Sequence, residues 1–135
     1  MTQVATRRVD QSPAIAPATS PIDRGHLTRM TLDDPSLERE VLQLFDRQAA
    51  TLVARMRTAS PAAVPALAHT LKGSACSIGA WHVARAAEAV ELADGAPTEA
   101  EAAHHRVAAA VDEARSTIAE LLRAHQSDTI KSHLF

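Results

Sequence analysis

Residues 68–80 read AHTLKGSACSIGA, and the apolar residues in and just before this stretch decide the fold. Leu67, Leu71, Ala75 and Ile78 recur at intervals of three and four residues, which is the spacing of one buried face of an α-helix. The stretch is therefore predicted to be a helix that packs against at least one other helix.

A second set of residues shares the opposite side of this helix. His69 lies about 200° from Leu71 on the helical wheel, so it is predicted to face solvent. Lys72, Gly73 and Cys76 follow at three, four and seven residues and fall on the same strip. Glycine costs a helix about 1 kcal/mol relative to alanine, which favours a role for Gly73 as clearance for a partner. An exposed imidazole can act as a nucleophile, and a lysine one turn away can hold a phosphate oxygen.

Composition excludes several function classes. The 135 residues are a one-domain length, with 46% hydrophobic and only 2% aromatic residues. Because alanine and leucine favour helix and strand formers are scarce, an all-α protein is predicted. The formal net charge is −2 and no segment is strongly basic, so no nucleic-acid partner is expected. No apolar run reaches the about 20 residues of a membrane span. The single cysteine fits a cytoplasmic location.

Five helices are predicted from apolar periods and caps. They cover residues 23–30, 35–58, 61–77 and 80–93, and a last one that starts at a Thr98–Glu101 capping box and ends near His125. Asp34-Pro35 and Ser60-Pro61 read as a cap followed by a first-turn proline, and Asp94-Gly95 reads as a stop. Four longer helices with short loops predict an antiparallel up-and-down four-helix bundle with the short N-terminal helix as a lid. The predicted organisation is a flexible lead over 1–20, the bundle over 21–126 and a tail over 127–135.

The inward faces of the helices follow from the same periods. The side chains predicted to face the core are Leu27 and Met30 in the first helix, Leu37, Val41, Leu44, Phe45, Gln48, Leu52 and Met56 in the second, Val83, Ala86 or Ala87, Val90 and Ala93 in the fourth, and Val107, Val111, Ala114, Ile118, Leu121 and Leu122 in the fifth.

The stretch AHTLKGSACSIGAWHVARAAEAVELA resembles the signature of histidine-containing phosphotransfer (Hpt) domains, approximately H-x-L-K-G-(S/A)-A-x-x-(I/V/L)-G-(A/L) followed by an apolar helix. The matching residues are His69, Leu71, Lys72, Gly73, Ser74, Ala75, Ile78, Gly79 and Ala80. Glu91 falls where the family often has Glu or Gln. One departure is Cys76, which stands where the family commonly has glycine or alanine.

The resemblance implies a reversible phosphoryl relay, in which His69 carries a phosphoryl group between receiver-domain aspartates. It implies His69 as phosphoacceptor, Lys72 as electrostatic support and Gly73 as clearance. It implies Glu91, or a nearby polar group on the fourth helix, as the group that sets the imidazole tautomer. It further implies a carrier without kinase activity of its own, whose partners are response-regulator receiver domains and hybrid histidine kinases. A monomer is expected, because no heptad pattern runs long enough to demand a dimer. No cofactor and no metal are expected on this chain, because the Mg²⁺ belongs to the receiver.

Two alternatives stay open on the sequence. The chain has no nucleotide-binding motif, and a helical bundle without catalysis could regulate a receiver or kinase by binding alone. Trp81 is either a core residue or, as the favoured interpretation, an exposed docking anchor with Cys76. The pair His104-His105 and the lone His82 read as surface residues, since adjacent histidines on a helix point about 100° apart and do not converge on a metal.

Overall fold

The computed structural model describes residues 20–93 and 97–134, with side chains up to Gln126. The described helices are α1 (Arg24–Met30), α2 (Pro35–Thr58), α3 (Val64–Ile78), α4 (Trp81–Leu92) and α5 (Pro97–Leu134). No strand occurs in this part of the chain, so the all-α prediction is confirmed. The predicted lead, apart from Ser20, and the predicted Asp94-Gly95 stop lie outside the described residues.

The first two helices begin at their predicted caps. The Asp23 side chain accepts a hydrogen bond from the His26 backbone N–H at 3.1 Å. The Asp34 side chain accepts from the N–H groups of Ser36 and Leu37 at 2.9 and 3.3 Å. These bonds satisfy N–H groups that a helix start leaves without a partner inside the helix. The predicted bounds of α2, 35–58, agree with the structure.

The start of α3 differs from its prediction. Residues 61–63 form a turn and the helix begins at Val64, so Ser60 is not its cap. The reason is Pro65, which lies in the first turn of the observed helix. A helix starting at Pro61 would place Pro65 where its missing N–H and its ring are unfavourable.

The bounds of α5 also differ. The helix begins at Pro97, a residue type suited to the first helical position, so Thr98 lies inside the helix and is not its cap. The helix then continues to Leu134 and does not end near His125. The polar sequence after His125 gave no period from which this extension could be predicted.

Gly79 ends α3 and turns the chain into α4. Its φ of 80° lies in the left-handed region, which glycine adopts at no steric cost. The Ala80 N–H donates to the Ala75 carbonyl at 2.9 Å, and the Asp23 N–H donates to the Gly79 carbonyl at 2.8 Å. A Cβ at Gly79 would lie 2.9 Å from the Asp23 carbonyl oxygen. This turn therefore joins α3, α4 and the start of α1.

One apolar core fills the space between the helices. Its largest fully buried side chains are Ile22, Leu27, Leu42, Leu71, Ile118, Val83 and Val107. Among the long helices, α2 contacts α3 and α5, and α4 contacts α3 and α5, so the contacts close a ring; α1 packs on α3. The most extensive of these contacts, between α3 and α4, positions the candidate site.

The predicted core face of α2 is partly wrong. Leu37 and Leu44 are 37% and 46% exposed, and Gln48 is exposed. The observed buried face consists of Leu42, Phe45, Ala49, Leu52 and Met56. Both sets keep helical spacing, but the predicted set includes Leu44 and Gln48 in place of Leu42 and Ala49, so the observed buried face is shifted around the helix. In α1, Met30 is likewise exposed while Leu27 is buried.

Candidate functional site

His69 lies on the exposed face of α3 and reaches toward α4. Its side chain is 68% exposed, and its Nδ1 lies 2.8 Å from Oε2 of Glu91. Leu71, which is fully buried, fixes the helix so that His69 points away from the core. The packing of α3 on α4 thus brings together two residues that are 22 positions apart in the sequence.

The charge of Glu91 determines which nitrogen of the His69 ring carries the proton. The Lys72 ammonium, and after it the His69 imidazole, hold the pKa of the Glu91 carboxyl below its ordinary value. An ionised carboxylate has only acceptor atoms, so His69 Nδ1 must donate. In the neutral ring this leaves Nε2 with the lone pair. The arrangement presents a nucleophilic nitrogen on an exposed side chain.

Lys72 is turned toward α4. Its Nζ lies 3.1 Å from Glu91 Oε1 and 3.9 Å from Glu88 Oε2, and its side chain is only 28% exposed. The sequence places Lys72 in an exposed cluster with His69, whereas the structure places its ammonium between two carboxylates. The long alkyl stem allows this, because it lies along the helix surface while the charge reaches the next helix.

Gly73 faces open space. A Cβ built at this position would meet nothing within 4 Å, so helix packing does not require a glycine here. Cys76, one turn further along, is exposed. On the side toward α2, the Ser74 hydroxyl donates to Gln48 Oε1 at 3.5 Å. The strip beside His69 is therefore free of bulky side chains at Gly73, and its roles as clearance and docking surface stay predictions.

Comparison with known proteins identifies the family. The family model for the Hpt domain matches residues 40–130, a span that holds α3, α4 and the whole His69–Glu91 site. The chain belongs to the Hpt domain family. The resemblance inferred from the motif around His69 is thereby confirmed, and Hpt domains act in histidine phosphotransfer within two-component systems. No curated protein and no solved structure matches the chain.

In this Hpt domain, Trp81 is half-buried and its polar atom is used within the chain. Trp81 Nε1 donates to Asp23 Oδ2 at 2.9 Å, and its ring meets the edge of His26 at a centroid distance of 4.9 Å. Ten residues separate Trp81 from Glu91, about 15 Å along a helix. The observed contacts of Trp81 hold α1 in place, and its predicted docking role stays a prediction.

Sequence reasoning missed Glu88 as a member of the site of this Hpt domain. Glu88 lies three residues before Glu91, and residues at this spacing share one face of a helix. Two glutamates at this spacing, opposite a lysine on the preceding helix, were the signal from which Glu88 could have been predicted. The resemblance pointed to Glu91 or a nearby polar group on the fourth helix and did not single out Glu88.

His82 and His125 form contacts with α5 and α2 and lie outside the site. His82 Nδ1 lies 3.0 Å from Glu113 Oε1 on α5, and His125 Nε2 pairs with Glu38 on α2. Within residues 20–93 and 97–126, no three side chains of the metal-binding types converge. In the described helices, no segment has both the length and the apolar content needed to cross a bilayer.

Proposed function

We propose that this Hpt domain carries a phosphoryl group on His69 between aspartates of receiver domains, as an intermediate of a phosphorelay. The observation that carries the proposal is the 2.8 Å contact between His69 Nδ1 and Glu91 Oε2. It leaves Nε2 of an exposed imidazole as the free nucleophile. The family match supports phosphotransfer in general, and the assignment to His69 rests on this geometry.

The transfer step follows from the proton positions. The Nε2 lone pair attacks the phosphorus of a receiver's aspartyl phosphate, an N–P bond forms, and the P–O bond to the aspartate breaks with departure of the carboxylate. The ring gains a positive charge and keeps its Nδ1 proton. The Glu91 carboxylate offsets that charge through the hydrogen bond it already accepts. In the return step a second receiver's carboxylate attacks the phosphorus, and the neutral imidazole leaves.

The other proposed features complete this account. Lys72 supports the transfer, Gly73 leaves room for the receiver, and Cys76 and Trp81 contribute to docking. The chain needs no cofactor and no kinase activity of its own, since Mg²⁺ resides on the receiver. We further propose that α2–α5 form an antiparallel up-and-down bundle with α1 as a lid, and that the protein works as a cytoplasmic monomer with receivers and hybrid histidine kinases.

Label transfer from a receiver tests the proposal. The protein is mixed with a receiver domain that carries ³²P on its aspartate, and the expected result is an acid-labile, base-stable label on this chain. His69→Gln is expected to abolish the label and to keep the helical circular dichroism, because an exposed helix position tolerates glutamine.

The matched control is His105→Gln, which alters an exposed histidine on α5 and is expected to accept label like the wild type. A label that persists in His69→Gln would contradict the site. Absence of label on the wild type with every cognate receiver would favour the alternative, a bundle that regulates its partner by binding alone.

A further inference from the structure

The two carboxylate oxygens of Glu91 serve different partners. Oε2 accepts from His69 Nδ1 at 2.8 Å, and Oε1 faces Lys72 Nζ at 3.1 Å. Oε1 is shielded from solvent and accepts no hydrogen bond of good geometry. Since a buried carboxylate oxygen needs a compensating charge or donor, the ion pair with the Lys72 ammonium is the contact that compensates this half of the carboxylate.

The geometry points to Lys72 as a positioning residue that acts on His69 through Glu91, with Glu88 as the second anchor of its ammonium. This inference deepens the proposed function and rests on it. It assigns to Lys72 an indirect route and to Glu88 a role that the motif does not contain.

Burial and charge favour the indirect route. Lys72 is less than half as exposed as His69, 28% against 68%. Its ammonium already lies between Glu91 and, at 3.9 Å, the half-exposed Glu88. A lysine held by two carboxylates carries little uncompensated charge toward a phosphoryl group at Nε2. It does fix the rotamer of Glu91 and keep that carboxylate ionised, and both conditions hold the proton on Nδ1.

A double-mutant cycle separates the indirect route from direct contact with the phosphoryl group. The rate of His69 phosphorylation by phosphoramidate is measured, because a small donor needs no docking surface. In the wild-type background, Lys72→Ala is expected to lower the phosphorylation rate about tenfold, which lies within the range of interaction energies measured between contacting residues. In a Glu91→Ala background the same change is expected to have less than about a twofold effect. An equal loss in both backgrounds would overturn the inference.

Conservative variants supply the second readout. Lys72→Arg keeps a cation that can meet both carboxylates and is expected to retain most of the rate when Glu91 is present. Lys72→Met keeps the stem without the charge and is expected to behave like Lys72→Ala. Equal rates for the arginine and methionine variants would also overturn the inference. Glu88→Gln is expected to lower the phosphorylation rate less than Lys72→Ala does, and to have no effect in the Lys72→Ala background. If Glu88→Gln lowers the rate equally in both backgrounds, Glu88 does not act through Lys72.

Failure of this inference and failure of the proposed function give different results. If His69→Gln still accepts phosphate, the proposed function fails. If His69→Gln is inactive while the Lys72 and Glu91 effects are independent, the function stands and only the indirect route is wrong. Circular dichroism and melting temperature on each variant verify that the helices are intact.

Discussion

Gly73 lies on the exposed face of α3, and a Cβ built at this position would meet nothing within 4 Å. Gly73→Gln is expected to keep or slightly raise the free energy of unfolding, because glycine is the poorer helix former by several tenths of a kcal/mol, on the order of 0.5. Transfer from a receiver is expected to fall, because the new side chain would stand where the receiver's aspartate must approach His69. Phosphorylation by a small donor is expected to suffer less.

The control places the same side chain on another helix. Ala109 is exposed on α5, and Ala109→Gln is expected to leave the rate of phosphoryl transfer from the receiver unchanged. Melting temperature and transfer rate on the two variants decide between clearance and packing. A sharp drop in melting temperature with normal receiver transfer for Gly73→Gln would contradict the docking-face interpretation.

In α3, helical spacing predicted correctly which residues are exposed, whereas it did not predict the direction of a long, flexible side chain. The exposure of His69 and Gly73 follows from the buried position of Leu71. The direction of Lys72 could not be predicted, because its flexible stem reaches whichever charge the neighbouring helix presents. That charge, Glu91 together with Glu88, is set by the packing of α3 on α4, which no local pattern contains.

Among the elements, α1 is connected to α4 by Asp23. Asp23 caps its own helix and accepts from the Trp81 indole of α4. Asp23→Ala is expected to lower the free energy of unfolding by about 1 kcal/mol through loss of the cap, and to change the fluorescence of Trp81, which is the single tryptophan of the chain.

The contribution of Asp23 to the free energy of unfolding is expected to decrease at acid pH. The Trp81 hydrogen bond is the main cause that lowers the pKa of Asp23 from its ordinary 3.8. The stability gained from the ionised carboxylate is therefore complete above pH 3.8 and is lost as pH falls through the lower folded-state pKa. The difference in free energy of unfolding between the wild type and Asp23→Ala is expected to become smaller as pH falls over that acid range. Asp23→Asn keeps a capping oxygen without titrating, and an Asn variant with the same acid dependence as the wild type would contradict this account.

The helix boundaries show which local signals dominate. Asp34-Pro35 predicted the start of α2 because no later residue opposed it. Ser60-Pro61 carried the same signature and failed, because Pro65 fits only in the first turn of α3. The stop after α3 was predictable, since the left-handed φ of Gly79 suits glycine.

On the scale of the whole molecule, the site depends on the bundle because its parts belong to different helices. His69 and Lys72 come from α3, whereas Glu88 and Glu91 come from α4. The buried residues Leu71 and Val83, one on each helix, belong to the common core. The core therefore fixes the distance between the imidazole and the carboxylate.

In the proposed transfer, the phosphoryl group bonds to Nε2 of His69 while Nδ1 keeps its proton against Glu91. Nuclear magnetic resonance on the phosphorylated, ¹⁵N-labelled protein tests it most directly, because one-bond coupling to ³¹P identifies the bonded ring nitrogen. We expect a single ³¹P signal coupled to Nε2 of His69, with a protonated Nδ1 in the same ring, and no such signal in His69→Gln. A phosphoryl group on Nδ1 of His69, or on any other residue, would contradict the account.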